Sequence, residues 1–207
     1  LEHLVANLLD ISRLDQERFF LHYERVDIGQ LLVGLIEAAE RKSPVEALKG
    51  HTFVLHLPAT PLEAEIDVLK IEQVMRNLLE NALRYSPGGG TITVELQAVG
   101  GDPPSMCEIR VTDQGIGIAP SERERVFERF YRSPEPQVQR IRGAGLGLAI
   151  CREILRAHSG TIDVISTPGQ GATFVVCLPR NRTPAGVLAA TEEESPIEHT
   201  AGKDPGR

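Results

Sequence analysis

The run Asn77-Leu-Leu-Glu-Asn81-Ala-Leu-Arg84-Tyr85 carries polar side chains at helical spacing. At about 100° per residue, Asn77, Asn81 and Arg84 fall within an arc of roughly 60°, with Tyr85 at its edge. Two amides and a cation thus share one ridge above an apolar face. A solvated helix face would look the same, but asparagine is a poor helix former, so the pair carries a cost unless it has a task. Asp113-Gln114-Gly115-Ile116-Gly117-Ile118 is a second candidate. Two glycines one residue apart allow a tight turn and the close approach of a flat ligand. A carboxylate before them can accept from an amino group, although an ordinary Asp-Gly turn shares the pattern. Gly143-Ala144-Gly145-Leu146-Gly147-Leu148 opens a helix, where uncovered backbone N–H groups favour a phosphate. It is not a P-loop, because no Lys-Ser/Thr follows. Nor does it have dinucleotide-fold spacing, because Leu148 stands where the last glycine belongs. Gly169-Gln170-Gly171 before Thr173 reads by itself as a hairpin turn.

The elements that must position these residues follow from periodicity. Leu1, Leu4, Leu8 and Ile11 form an amphipathic stripe that ends near residues 15–17 and needs a partner helix. A strand is expected over 19–26, a helix over 27–41 and strands over 51–57 and 62–66. Asp67 opens a long helix whose Ile71, Val74, Met75, Leu78, Leu79, Ala82 and Leu83 share one face. Ser86-Pro87-Gly88-Gly89-Gly90 ends it. Strands over 91–99 and 107–112, a helix over 120–130, a polar loop over 133–142, a helix over 146–158 and a hairpin of 160–166 with 172–178 complete the reading. The order predicts an α+β fold, a two-layer sandwich in which a mixed sheet is covered by about three helices on one face. Residues 181–207 hold Val187, Leu188 and Ile197 as their only large aliphatic residues, and are expected to be a disordered tail.

Composition narrows the function. Among 207 residues, 22 Lys and Arg stand against 29 Asp and Glu, a formal charge of −7. That balance argues against a nucleic-acid partner. No apolar run reaches a membrane span. The start lacks both a signal-peptide pattern and Met, so a piece of a longer protein is expected. Cys107, Cys151 and Cys177 have no C-x-x-C spacing, which supports neither zinc nor a disulfide framework. Buried thiols in a reducing compartment are the simpler expectation.

The motifs in this order resemble the catalytic, ATP-binding domain of bacterial sensor histidine kinases, within the ATPase superfamily shared with gyrase, Hsp90 and MutL. Asn77 to Pro87 is similar to its N box, Asp113 to Gly117 to its G1 box, Val126 to Arg132 to its F box and Gly143 to Gly147 to its G2 box. The likeness covers about residues 21–179. Leu4 to Asp15 resembles the end of the second helix of the dimerisation and phosphoacceptor hairpin. It implies three parts: residues 1–18 from that hairpin, an ATP-binding domain over 19–180, and the tail. The likeness implies ATP and Mg²⁺ as ligands. Asp113 would accept from the adenine amino group, with Thr173 in support. Gly115, Gly117 and Ile118 would line the base pocket, and Tyr85 would pack on the base or ribose. Asn77 would ligate Mg²⁺, while Asn81, Arg84 and Arg142 would reach phosphates. Gly143, Gly145, Leu146, Gly147 and Leu148 would offer backbone donors, and residues 131–144 would form a lid. Ala144 departs from the polar residue often found at its position.

Hydrolytic members of the superfamily carry a Glu where Asn77 stands. An amide is no base near neutral pH, so the likeness implies γ-phosphoryl transfer to a histidine rather than hydrolysis. No catalytic residue is assigned within the chain, since none of its six histidines precedes an acidic residue. Implied partners are the phosphoacceptor helix of the same protein and a response regulator, with a homodimer in the full-length protein. The 207 residues alone are expected to be monomeric and unable to phosphorylate themselves. A cytoplasmic location is implied, with a parent that can be membrane-anchored. Two other readings stay open: a degenerate nucleotide-binding or interaction module, and a slow clamp-type ATPase, against which Asn77 speaks.

Overall fold

A computed structural model describes residues 21–42, 50–141 and 143–182. The expected first helix, the beginning of the first strand, the Ser43-Pro44 breaker, Arg142 and the tail from residue 183 lie outside the described residues.

Among the described residues, seven strands and four α-helices follow in the order β1 (Glu24–Asp27), α1 (Ile28–Lys42), β2 (His51–His56), β3 (Glu63–Ile66), α2 (Val68–Arg84), β4 (Gly90–Val99), β5 (Met106–Thr112), α3 (Pro136–Arg140), α4 (Gly147–Ala157), β6 (Thr161–Ser166) and β7 (Ala172–Pro179). β2, β4, β5, β7 and β6 form the main sheet in that order, and β1 pairs with β3 in a small second sheet. β2 runs parallel to β4, while the other main-sheet pairs are antiparallel. The sheet is therefore mixed and the fold is α+β, as the element order predicts.

The two faces of the sheet separate by strand alternation. Ile92, Val94, Leu96, Cys107, Ile109, Val111, Phe174, Val176 and Leu178 are buried on one face. They join one core with Ile28, Leu32 and Ile36 of α1, the apolar stripe of α2, and Ile150, Ile154 and Leu155 of α4. Thr93, Glu95, Glu108 and Arg110 occupy the other face, which stays partly exposed.

α2 forms where the sequence says it should. Asp67 caps it, accepting from the Lys70 N–H at 3.2 Å, and its stripe from Ile71 to Ala82 is buried. Such a cap contributes about 1 kcal/mol. The rear ends of α2 and α4 are tied together. The Asp67 N–H donates to His158 Nε2 at 3.0 Å, and His158 Nδ1 meets the Ile154 carbonyl at 2.8 Å. The incoming chain joins this knot: the His22 N–H donates to Asp67 Oδ2 at 2.9 Å, and the Tyr23 hydroxyl donates to the Ala157 carbonyl at 3.2 Å. Beyond β7, the Arg182 N–H donates to Glu65 Oε2 at 3.0 Å.

Two local expectations are corrected. Residues 120–130 form two single 3₁₀ turns, Pro120–Glu122 and Arg125–Phe127, rather than one helix. In these turns only Phe127 is buried, so no apolar stripe supports an α-helix, and Phe130 turns to φ 64°. Within the expected polar loop lies the short α3, started by Pro136. Arg132 Nη2 donates to the carbonyls of Val138 and Ile141 and holds it in place. Among the described residues, no helix is long and apolar enough to cross a membrane.

Candidate functional site

A cavity of about 1010 Å³ opens between the forward part of α2, the loop after β5, and the loop that leads into α4. Asn77, Asn81 and Arg84 line it from α2, and Tyr85 lines it from the helix end. Asp113, Gly115, Gly117 and Ile118 line it from the loop after β5, and Gly143 to Leu148 from the start of α4. Three motifs far apart in sequence thus share one wall. Where Gly147 would carry a Cβ, Asn77 Oδ1 stands 3.7 Å away, and Arg84 Nη1 is 3.6 Å from the equivalent point on Gly143.

Asp113 is the most constrained of these residues. It is 5% exposed. Its Oδ1 accepts from the Gly115 N–H at 2.9 Å and the Ala172 N–H at 3.2 Å. Its Oδ2 makes no hydrogen bond among the described residues. Burial pushes the carboxyl above its ordinary range, and the two N–H donors oppose that shift. The group is pinned by one oxygen and offers the other to a ligand. Its backing is the turn before β7: the Ile118 N–H donates to Ser166 Oγ at 2.8 Å, and Ser166 Oγ donates to the Gly171 carbonyl at 2.7 Å. The Gly169 N–H donates to the Ile116 carbonyl at 2.7 Å. Gly117 sits at φ 70° against Thr167, and Gly145 at φ 69° against Phe130 and Tyr131. Side chains at either position would meet both strain and backbone atoms.

Asn77 is held from behind. Its Nδ2 donates to Cys151 Sγ at 3.7 Å, and that thiol donates to the Val74 carbonyl at 3.8 Å. Burial pushes the Cys151 thiol up to about 12, so it stays protonated. Asn77 Oδ1 is left without a hydrogen bond among the described residues. An amide oxygen is a suitable hard ligand for Mg²⁺. Ser86 Oγ and Arg132 Nε are buried without hydrogen-bond partners among the described residues, and both residues line the cavity. Buried polar atoms are normally satisfied, so orphans here fit a cavity shaped for a polar ligand.

Thr173 is a correction. Ala172 and Phe174 line the cavity, whereas Thr173 points to the opposite face of the sheet. There its hydroxyl meets that of Thr112 at 3.0 Å. The strand period of two decides this. Arg142 lies outside the described residues. The structure also adds residues that the motifs did not single out. Glu80 lies beside the ridge of Asn77, Asn81 and Arg84 on α2, so its spacing could have shown it. Tyr131 and Arg132 lie within the stretch similar to the F box. Phe174 and Val138 carried no usable signal, because long-range pairing and a loop fold place them.

The chain belongs to the family of histidine kinase-, DNA gyrase B- and HSP90-like ATPases, whose model matches residues 66–182. Within that family it is similar to sensor histidine kinases. It is 36% identical over 178 residues to the sensor histidine kinase WalK of Bacillus subtilis, which is 85% of this chain and 28% of WalK. The solved mycobacterial sensor histidine kinase MprB superposes with a TM-score of 0.64 at 30% identity, over 78% of this chain and all of that one. Full-length ShkA in complex with AMPPNP gives a TM-score of 0.72 at 30% identity, over 86% of this chain and 35% of ShkA. The chain therefore spans less than a third of the WalK relative.

Proposed function

We propose that this chain binds ATP with Mg²⁺ and presents its γ-phosphoryl group to a histidine, as the catalytic part of a two-component sensor kinase. The observation that carries the reading is the buried Asp113, fixed by two backbone N–H groups and facing a cavity that ends at the Asn77–Asn81–Arg84 ridge. Asp113 Oδ2 accepts from the adenine amino group, and Gly115, Gly117 and Ile118 wall the base. Tyr85 packs beside it. Asn81 and Arg84 meet phosphate oxygens, as does Arg142, and the backbone from Gly143 to Leu148 supplies further donors. Asn77 Oδ1 would hold Mg²⁺, whose charge would screen the phosphates. An acceptor imidazole is its own nucleophile, and Asn77 cannot activate water, so transfer is favoured over hydrolysis. Residues 131–144, with α3 held by Arg132, act as the lid.

This reading includes a three-part chain. Residues 1–18 complete a dimerisation helix, 19–180 form the catalytic domain, and 181–207 form a tail. The partners are the phosphoacceptor helix of the same protein, a second copy in the full-length protein, and a response regulator whose Asp receives the phosphoryl group. The 207 residues alone are monomeric and do not phosphorylate themselves.

Two measurements test the proposal. Calorimetry with a non-hydrolysable ATP analogue should show binding that strengthens with Mg²⁺ and collapses in Asp113→Asn. Incubation with γ-labelled ATP should leave the chain unlabelled, but label an added phosphoacceptor helical domain. Absence of nucleotide binding by the folded chain would reject the reading. Binding without transfer would reduce it to a nucleotide-binding module.

A further inference from the structure

The charges on the cavity wall do not suit a bare polyphosphate. Among the described residues the wall carries four carboxylates, Glu80, Asp113, Glu122 and Glu135, against two guanidiniums, Arg84 and Arg132. A further cation at Arg142 would still leave the carboxylates in excess. Such a wall repels a highly charged anion unless a cation accompanies it.

Three of these carboxylates have evident places. Asp113 is pinned at the base end. Glu122 accepts from the Tyr131 hydroxyl at 2.7 Å. Glu135 precedes α3 on the exposed lid. Glu80 differs, because it lines the cavity from α2 itself, beside the ridge of Asn77, Asn81 and Arg84. At about 100° per residue it lies roughly 60° from Asn77 and roughly 40° from Arg84 around α2. The Arg84 guanidinium does not neutralise it firmly. Their separation is 3.9 Å, with the side chains 41% and 45% exposed, and such pairs contribute little in water.

We propose that Glu80 makes nucleotide binding depend on the divalent cation: its carboxylate repels the metal-free triphosphate and attracts the hydrated Mg²⁺ held beside it. This rests on the ATP reading above. Mg²⁺ keeps several waters and is usually bound through one or two carboxylates together with substrate phosphates. Asn77 is neutral and brings no charge to the metal. Glu80 supplies that charge from the same helix. The side chain acts in opposite directions on the two forms of the ligand, and so as a selector between them.

The test is titration of the 207-residue chain with a non-hydrolysable ATP analogue, in excess Mg²⁺ and in EDTA. Wild type is compared with Glu80→Gln and Glu80→Ala, two changes at a half-exposed position. In EDTA both variants should bind about three- to tenfold tighter than wild type, and in Mg²⁺ about threefold weaker. The strengthening by Mg²⁺ should therefore shrink roughly tenfold, and the difference in EDTA should fade as salt is raised. A change by the same factor in both arms would mean that Glu80 merely restrains Arg84, and would overturn the proposal. So would no change in either arm. Wild-type binding with an unaltered Mg²⁺ ratio in the variants defeats this inference alone. Absence of wild-type binding in both arms defeats the ATP reading and this inference with it.

Discussion

The two ends of the helix pair α2 and α4 are built on opposite principles. At the rear, Asp67 and His158 are buried and satisfied. Asp67 caps α2 and receives the His22 N–H, while His158 uses both ring nitrogens. At the front, Asp113 is equally buried but spends one oxygen only, and Ser86 Oγ and Arg132 Nε lack partners among the described residues. The rear contacts stabilise the fold, and the front retains capacity for a ligand at some cost in stability. The contrast predicts that changes at the front alter binding with little effect on stability, and that changes at the rear do the reverse.

The largest expected effect is at Asp113. Asparagine can still accept from Gly115 and Ala172 through its amide oxygen, so the loop should hold its shape. Its NH₂ then faces the adenine amino group, donor against donor. Affinity for the ATP analogue should fall by about 100-fold or more. The unliganded melting temperature should not fall, because a buried charge has been removed. A large loss of melting temperature would show that Asp113 serves the fold instead.

At the rear, Asp67→Ala removes the α2 cap and the acceptor for His22. The chain should lose about 1–2 kcal/mol of stability in denaturant unfolding, with nucleotide affinity changed by about twofold or less. A matching collapse in affinity would show that the two ends are not separable.

A smaller effect concerns pH. Burial holds the His158 pKa below its ordinary 6.5, opposed by the Ile154 carbonyl and Asp67. The neutral ring is the form whose Nε2 can accept from the Asp67 N–H. As pH falls below about 6.5 the unfolded chain takes up a proton that the folded chain resists, so stability falls. Unfolding midpoints measured at about pH 7.5 and about pH 5.5 should show this decline. The decline should be shallower in His158→Gln, and an unchanged slope would refute the assignment.

The smallest effect sharpens the picture at the front. Thr173→Val should change nucleotide affinity by less than about twofold, because the side chain sits on the far face of β7. A tenfold loss would restore Thr173 to the site.

Much of this was legible in the chain. The N-cap at Asp67, the stripe from Ile71 to Ala82 and the ridge of Asn77, Asn81 and Arg84 depend on interactions within one or two helical turns. The glycine pairs are equally local, since positive φ is a property of the residue itself. The α+β class followed from the order of such elements. The single helix expected over 120–130 failed because local helical potential there has no apolar face to bury. The polar composition of 133–142 concealed α3, which Arg132 and Pro136 organise together. Thr173 was misplaced because a strand written alone does not say which of its faces meets a cavity.

Sequence alone thus determined which residues could do chemistry and which short elements would carry them, because propensity, capping and periodicity act over a few residues. Tertiary structure decided which of them meet. The pairing of β5 with β7 turns Phe174 inward and brings the Ala172 N–H to Asp113. The packing of α4 against α2 sets Cys151 behind Asn77 and Gly147 in front of it. Those contacts join residues tens of positions apart, and only a folded chain supplies them.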